Sequence, residues 1–201
     1  MKKLIAILAA ALVLLCGCAG GGAEISEKEL AAVNDICAAE YSAGDLEDVT
    51  GEFLADGRDK KFEALKKVYK LPNGYYAFFA KPVGYNGEIN MAVVLDGEKT
   101  VSVRIIEHVE TDHYVRDFDT ADWFIGRLEN KSVSKYLEVV KLSEKDDNDV
   151  VAITGSTVTT QAVVNGVNSA FGAYTETVLG GTAEAVDYMV DASDYDRGGL
   201  H

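Results

Sequence analysis

The sequence predicts a single α+β domain in which an antiparallel sheet packs against helices. Apolar residues recur at alternate positions from about Phe62 to Ile105, which is typical of strands. Segments with helical spacing precede and follow this region. The chain has 201 residues, which is enough for one domain with a substantial core and too few for two comfortable ones.

The first residues of the chain predict an export signal. Two lysines precede the apolar stretch Leu4 to Leu15, which is followed by Cys16-Gly17-Cys18; this order is typical of a secretory signal and is too short to span a bilayer. Leu15-Cys16-Gly17-Cys18 also matches a bacterial lipobox, with Cys18 as the lipidated residue. We therefore expect residues 1–17 to be a lipoprotein signal peptide, and an ordinary cleaved signal is the alternative.

A lipid on Cys18 would place the protein on the outer face of the cytoplasmic membrane, because two acyl chains anchor stably where one does not. Residues 18–25 then form a flexible tether. Cys37 is the one cysteine outside the signal and anchor, so an internal disulfide is not expected. The net charge of -14 argues against nucleic acid as a partner.

The first helix is predicted to begin at Ser26, because Ser26-Glu27-Lys28-Glu29 matches a capping box. Apolar residues then recur at helical spacing as far as Tyr41, and Gly44 ends the pattern. Residues 45–60 are polar and punctuated by glycine, which indicates an irregular connection.

Two hairpins are predicted next. Leu71-Pro72-Asn73-Gly74 separates strands over 65–70 and 75–81, and Asn-Gly is a strong turn signal. Asp96-Gly97 separates an alternating segment that begins at Ile89 from one that ends at Ile105. Four consecutive antiparallel strands are the simplest arrangement.

The second half of the chain predicts two helices and two short strands. Thr120 is suited to cap a helix over 121–128, and short strands are expected over 136–141 and 150–153. Residues 144–149 between them are too charged to bury. A long helix is expected from Val158 to Leu179, ended by Gly180-Gly181. The domain then spans 26–181, and residues 182–201 form an acidic, frayed tail of which 186–190 could pack.

Thr154-Gly155-Ser156-Thr157 lies where the last strand leads into the long helix. Hydroxyls, a flexible glycine and the free N–H groups of a first helical turn form a site suited to a phosphate. The alternative is that these residues only cap the helix, as threonines often do.

From Val68 to Ala173 the chain resembles the FMN-binding domain family, whose members include the G subunit of the Rnf electron-transport complex and the C subunit of the sodium-pumping NADH:quinone oxidoreductase. The matching segments occur in the family's order, at positions 68–70, 84–89, the strand pair that ends at 107–108, 110–111 and 152–159. Order and spacing together make this resemblance specific.

The resemblance implies that a separate flavin transferase attaches FMN to Thr157 through a phosphoester bond. The residues that it assigns to cofactor binding are Thr157, Thr154, Gly155, Ser156, Thr159, Glu110, Thr111, Gly84 and Tyr85. The chain departs from the family at two places. Val151 stands where an aspartate is common, with Asp149 two residues earlier, and Asp112-His113-Tyr114 replaces a proline and glycines.

The expected function is that of an electron-transfer flavoprotein with redox partner proteins, more a carrier than an enzyme. A flavin-free binding lipoprotein on the same fold is one alternative, and a flavin reductase is another. A metal site among Glu107, His108, Glu110, Asp112 and His113 is disfavoured because no zinc spacing is met. No motif for catalysis by side chains is present in the sequence.

Overall fold

A computed structural model describes residues 24–111 and 122–189 of the chain. Its helices are α1 (Glu27–Cys37), α2 (Thr50–Phe53), α3 (Arg58–Lys61), α4 (Asp122–Ile125) and α5 (Thr157–Thr177). Its strands are β1 (Glu47–Asp48), β2 (Leu65–Lys70), β3 (Tyr76–Ala80), β4 (Asn90–Leu95), β5 (Thr100–Glu107), β6 (Glu138–Val140) and β7 (Asp149–Val151).

The main sheet has the order β1-β2-β3-β4-β5, and every neighbouring pair is antiparallel. This confirms the predicted α+β class and the four consecutive strands. The prediction of an irregular connection over 45–60 was wrong in part, because β1 extends the sheet and α2 and α3 follow it. These elements are too short to show a periodic pattern.

Both predicted hairpin turns are confirmed. Gly74 and Gly97 have φ angles of 87° and 115°, which glycine adopts without steric cost. Leu71 and Gly74 close the first turn, since the Gly74 N–H donates to the Leu71 carbonyl at 2.9 Å. The Asp96 side chain supports the second by accepting from the N–H groups of Glu98 and Lys99 at 3.0 and 2.9 Å.

The sheet is covered on both faces, and alternate residues of β4 show this most clearly. Met91, Val93 and Leu95 belong to the cluster under α5, whereas Ala92 and Val94 belong to the cluster under α1. All five are fully buried. A strand buried on both faces reads as a continuous apolar run, which explains the weak alternation in this segment.

The first helix begins as predicted but ends earlier. Ser26 and Glu29 form both bonds of the capping box. The helix stops at Cys37, because Ala38 adopts a left-handed conformation with φ 47°. The Asn34 side chain then bonds the backbone N–H and carbonyl of Tyr41 at 2.8 and 2.9 Å. The prediction of a helix as far as Gly44 was therefore wrong.

The short elements of the second half differ in detail from the prediction. Thr120 and Ala121 lie outside the described residues, and α4 continues into a 3-10 turn over Gly126–Leu128. Strands β6 and β7 are confirmed and pair in parallel. Asp149 was expected to be exposed and is buried, because its carboxylate accepts from the N–H groups of Lys145 and Asp146 at 2.8 and 3.1 Å.

The long helix α5 is confirmed and packs its buried face on the sheet. The helix was predicted to extend to Leu179 but ends at Thr177, and Val178 beyond it is 41% exposed. Residues 182–189 continue along the domain rather than fraying: Val186 is buried, and the Tyr188 hydroxyl lies 2.6 Å from that of Ser169. No helix within 24–111 or 122–189 has the length and apolar character needed to cross a membrane.

Candidate functional site

A turn over residues 154–157, the junction turn, joins β7 to α5 as predicted. Gly155 has a φ of 79°, a conformation that favours glycine. The Ser156 N–H donates to the Ile153 carbonyl at 2.9 Å. Thr160 ties the turn to the helix, since its hydroxyl accepts from the Ile153 N–H at 3.1 Å and donates to the Ser156 carbonyl at 2.9 Å. Sequence reasoning did not identify this role of Thr160.

The hydroxyl groups of the junction turn differ in exposure. Thr154 is exposed, Thr157 is half-buried and Ser156 is buried. Ser156 is the N-cap residue, and its side chain makes no capping hydrogen bond. The first N–H groups of a helix have no acceptor within the helix. The Ser156 side chain therefore does not cap α5.

A second group of predicted residues surrounds Glu110, which follows β5. Its side chain is only 6% exposed. One carboxylate oxygen accepts from the Asn86 N–H at 2.8 Å, and the other accepts from the Tyr85 N–H at 3.2 Å. The second oxygen also accepts from the hydroxyl of Thr159. Asn86 was not among the predicted site residues, although it lies within the matched segment 84–89.

Gly84 and Thr111 complete this group, which we call the Glu110 cluster. A Cβ atom at Gly84 would lie 2.6 Å from a carboxylate oxygen of Glu110 and 2.9 Å from the Ile89 Cδ1 atom, so only glycine fits there without movement. The Thr111 hydroxyl accepts from the Asn86 side-chain amide at 2.9 Å. The cluster thus contains Gly84, Tyr85, Asn86, Glu110, Thr111 and Thr159.

The hydrogen bond between Thr159 and Glu110 brings the two predicted groups together. Thr159 lies in the first turn of α5, two residues after Thr157. Glu110 is separated from Thr159 by 49 positions in the sequence. Tyr85 in the cluster is 73% exposed, and Val83 and Val109, which are next to cluster residues in the sequence, are 65% and 63% exposed. Sequence reasoning identified Tyr85 but missed the two valines.

The strand that leads into the junction turn is held by a basic side chain. The Arg127 guanidinium donates to the Val151 carbonyl at 2.8 Å. Asp149 lies at the start of the same strand, and its carboxylate is bonded within the preceding loop. An aspartate is expected by resemblance at the position of Val151. Asp149 therefore does not replace that aspartate at the junction turn.

The candidate metal ligands of the sequence lie at and beyond the end of β5. Within 24–111 and 122–189, no three or more His, Cys, Asp or Glu side chains are grouped so that they could hold a metal ion. The His108 Nδ1 atom accepts from the Glu110 N–H at 3.1 Å. Asp112 and His113 lie outside the described residues.

Comparisons with known proteins match the same segments. The model of the FMN-binding domain family covers residues 84–172, which include the Glu110 cluster and the junction turn. The G subunit of the Na+-translocating ferredoxin:NAD+ oxidoreductase complex of Acetobacterium woodii is 30% identical over 145 residues, which cover 68% of each chain. The chain belongs to the FMN-binding domain family.

A second relative agrees with this membership, and a solved structure shares the fold. The G subunit of the ion-translocating oxidoreductase complex of Pseudoalteromonas atlantica is 35% identical over 91 residues, 44% of this chain and 42% of that protein. The chain thus spans less than half of that relative. The C subunit of the Na+-translocating NADH-quinone reductase of Parabacteroides distasonis shares the fold, with a TM-score of 0.51 and 17% identity over 74% of this chain and 91% of the other.

Membership of this family supports FMN as the cofactor, and the residues present are compatible with a flavin phosphate. Thr157 is half-buried and is the first residue of a helix of 21 residues, where the helix dipole favours a negative charge. The exposed Gly155 leaves the backbone open to close approach. The exposed ring of Tyr85 offers an aromatic surface in the cluster bonded to the same helical turn.

Proposed function

We propose that this protein is a lipid-anchored, extracytoplasmic electron-transfer flavoprotein with FMN attached through a phosphoester to Thr157. The observation that carries the proposal is the hydrogen bond from Thr159 to Glu110. It joins the turn that bears the acceptor hydroxyl to the other residues of the predicted cofactor site. Family membership supplies the identity of the cofactor.

Bound FMN would supply reversible uptake of electrons and protons at its ring. The protein's own residues hold and orient that group. A separate transferase would use a flavin dinucleotide as donor: the Thr157 oxygen would bond to the flavin-side phosphorus, the phosphoanhydride bond would break, the nucleoside monophosphate would leave, and the hydroxyl proton would pass to solvent. Thr154 and Ser156 can donate hydrogen bonds to phosphate oxygens, and the N–H groups of the first turn of α5 add to the stabilisation of the charge.

A covalent bond suits a carrier that works outside the cytoplasm, because the cofactor cannot be lost by dissociation where free FMN is dilute. The relatives' names describe subunits of complexes that translocate ions. By analogy, we propose that this protein exchanges electrons with partner proteins rather than acting on a small substrate.

The second candidate is a flavin-free binding lipoprotein on the same fold. Two observations favour it. Val151 stands where an aspartate is common in the family, and the buried Asp149 carboxylate is already bonded to Lys145 and Asp146. If the transferase requires a free carboxylate at that place, the flavin would not be attached.

Visible absorption separates the two candidates. The protein is produced with and without a flavin transferase, denatured, and separated from small molecules. A carrier keeps its yellow colour only when the transferase is present, and dithionite bleaches the native protein. A colourless product, under conditions that modify a known acceptor, would support the binding lipoprotein.

The anchor is tested by replacing Cys18 with serine. The variant should leave the membrane fraction, because the lipid is the proposed attachment. It should remain folded, because Ile25, a tether residue that is buried in the core under α1, is unchanged. Fractionation with a carbonate wash measures this. Retention of the serine variant in the membrane pellet would point instead to an uncleaved apolar segment.

A further inference from the structure

We propose that Glu110 is a positioning residue that fixes the loop 83–88 to the first turn of α5 and so holds the ring of Tyr85 as a platform for the flavin ring. This inference rests on the proposed function, because it assumes a flavin on Thr157. It assigns Glu110 a role within the protein instead of direct contact with the cofactor.

The contacts of Glu110 define that role. Its carboxylate receives two backbone N–H groups from the loop 83–88 and one hydroxyl from α5. A buried carboxylate is stable only when donors compensate for lost hydration, and these donors come from two distant segments. The carboxylate therefore holds the segments together.

The same geometry directs the carboxylate toward the protein. Both oxygens accept hydrogen bonds from donors of the chain. One of them, Oε1, also packs so closely against Gly84 that a Cβ atom there would lie only 2.6 Å away. Bonds to a charged acceptor are stronger than bonds between neutral groups. The loop is consequently fixed at Tyr85 and Asn86, the two residues whose N–H groups are bound.

Tyr85 has the properties of a platform for a planar ring. Its side chain is 73% exposed while its backbone is held by Glu110. Val83 and Val109 are also exposed, and Val109 lies against the loop, since a Cβ atom at Gly87 would be 2.7 Å from its Cγ2 atom. Aromatic rings stack with an offset on other flat π systems. The flavin ring is the occupant that we assign, because Thr157 lies in the helical turn to which the loop is bonded.

Glu110→Gln keeps the shape of the side chain and replaces one acceptor oxygen with a donor group. The Thr159 hydroxyl can rotate to accept from that group, but a backbone N–H cannot. One loop N–H therefore loses its acceptor. Hydrogen exchange of the flavin-free protein should become faster at Tyr85 or Asn86 and stay unchanged in the Leu71–Gly74 turn. Glu88 is an exposed glutamate of the same loop. Glu88→Gln is the matched control and should leave hydrogen exchange unchanged at Tyr85, at Asn86 and in the Leu71–Gly74 turn.

Thr159→Val distinguishes the bond of Glu110 to α5 from its bonds to the loop 83–88. It removes the bond to α5 and leaves both loop N–H bonds in place. Protection of Tyr85 and Asn86 should persist in this variant. Unchanged exchange at both amides in Glu110→Gln would overturn the positioning role, whether or not any flavin is attached.

Flavin fluorescence tests the platform in the protein that carries covalent FMN. Stacking on Tyr85 should quench the wild-type flavin, and Tyr85→Leu should raise its fluorescence. Glu110→Gln and Thr159→Val should also raise it with Tyr85 present, whereas Glu88→Gln should not. Circular dichroism checks that each variant keeps the wild-type fold. If Glu110 served only to stabilise the fold, its variants would not raise the flavin fluorescence while the circular dichroism stayed unchanged.

Intact mass distinguishes failure of the Tyr85 platform from failure of the proposed flavin attachment. If the wild type carries the FMN mass but Tyr85→Leu leaves the fluorescence unchanged, the platform is refuted and the proposed carrier stands; a protein partner would then be the better occupant of this surface. If the wild type acquires no FMN mass, both the carrier and the platform are refuted.

Discussion

The two faces of the main sheet differ in how they are packed and in what they support. The face under α5 contains a network of aromatic rings, in which Phe53 and Phe78 have centroids 5.4 Å apart and Tyr76 and Tyr174 have centroids 5.5 Å apart. The face under α1 has a smaller apolar cluster and ion pairs at its edge, such as Lys67 with Glu29 at 2.8 Å.

The candidate site belongs to the first of these faces, because α5 carries both Thr157 and Thr159. A functional group is held accurately when the element that carries it is itself fixed by packing. Stability and cofactor placement should therefore be coupled on the α5 face and separable on the α1 face.

The largest expected effect comes from truncating one buried residue on each face. Phe171 on α5 and Val33 on α1 are both fully buried. Phe171→Ala should lower the free energy of unfolding by about 3–5 kcal/mol, through lost burial and the cavity left behind. Val33→Ala should lower it by roughly 2 kcal/mol, because the substitution removes two buried methyl groups.

Urea denaturation measures both changes, and intact mass measures flavin attachment. Phe171→Ala should reduce attachment, whereas Val33→Ala should leave it unchanged. Equal loss of attachment in the two variants would show that the faces are not separable.

Much of the fold follows from local sequence signals. Asn73-Gly74 and Asp96-Gly97 predict the hairpins because few other residues adopt the required backbone conformation. Ser26 and Glu29 predict the start of α1 because the capping box is a local pattern. The junction turn is recognised in the same way, from hydroxyls and a glycine between a strand and a helix.

Other features could not be predicted from a local sequence pattern. The end of α1 depends on Ala38, a residue whose type does not favour a left-handed conformation. The burial of Asp149 depends on backbone donors of its own folded loop. The bond between Thr159 and Glu110 requires the tertiary fold, so the sequence could name both residues but not their contact.

A smaller effect is expected where α5 is closest to its neighbours. A Cβ atom at Gly172 would lie 2.3 Å from both the Phe62 ring and the Tyr136 hydroxyl. Gly172→Ala should therefore cost about 1–3 kcal/mol through overpacking, despite the better helix propensity of alanine.

Gly51→Ala in α2 is the matched control, because nothing lies within 4 Å of a Cβ atom there. It should not destabilise the protein, since alanine is the better helix former. Thermal unfolding measures both variants. Equal midpoints for Gly172→Ala and Gly51→Ala would contradict the close packing of α5.

The smallest effect is a pH dependence on the α1 face. Burial by itself raises the pKa of Glu29, but hydrogen bonds from Lys67 and Ser26 hold it below its ordinary value of 4.5 overall. A carboxyl group with a lowered pKa stabilises the fold above its ordinary pKa and loses this contribution as the pH falls through the folded value.

The stability of the wild type relative to Glu29→Gln should therefore be greatest near neutral pH and should shrink as the pH falls below 4.5. Urea denaturation at several pH values measures this difference. A difference that stays constant across the acid range would show that the Glu29 carboxylate contributes nothing specific to this face.

Intact mass after production with a flavin transferase tests the proposed attachment of FMN to Thr157. Thr157 is the first residue of α5, where alanine is well tolerated, so Thr157→Ala should fold. The wild type should gain the mass of FMN and Thr157→Ala should not. Thr154→Ala and Ser156→Ala retain the acceptor oxygen and should carry some flavin. A wild type that never gains the mass under conditions that modify a known acceptor, or a Thr157→Ala variant that gains it, would refute attachment of the flavin to Thr157.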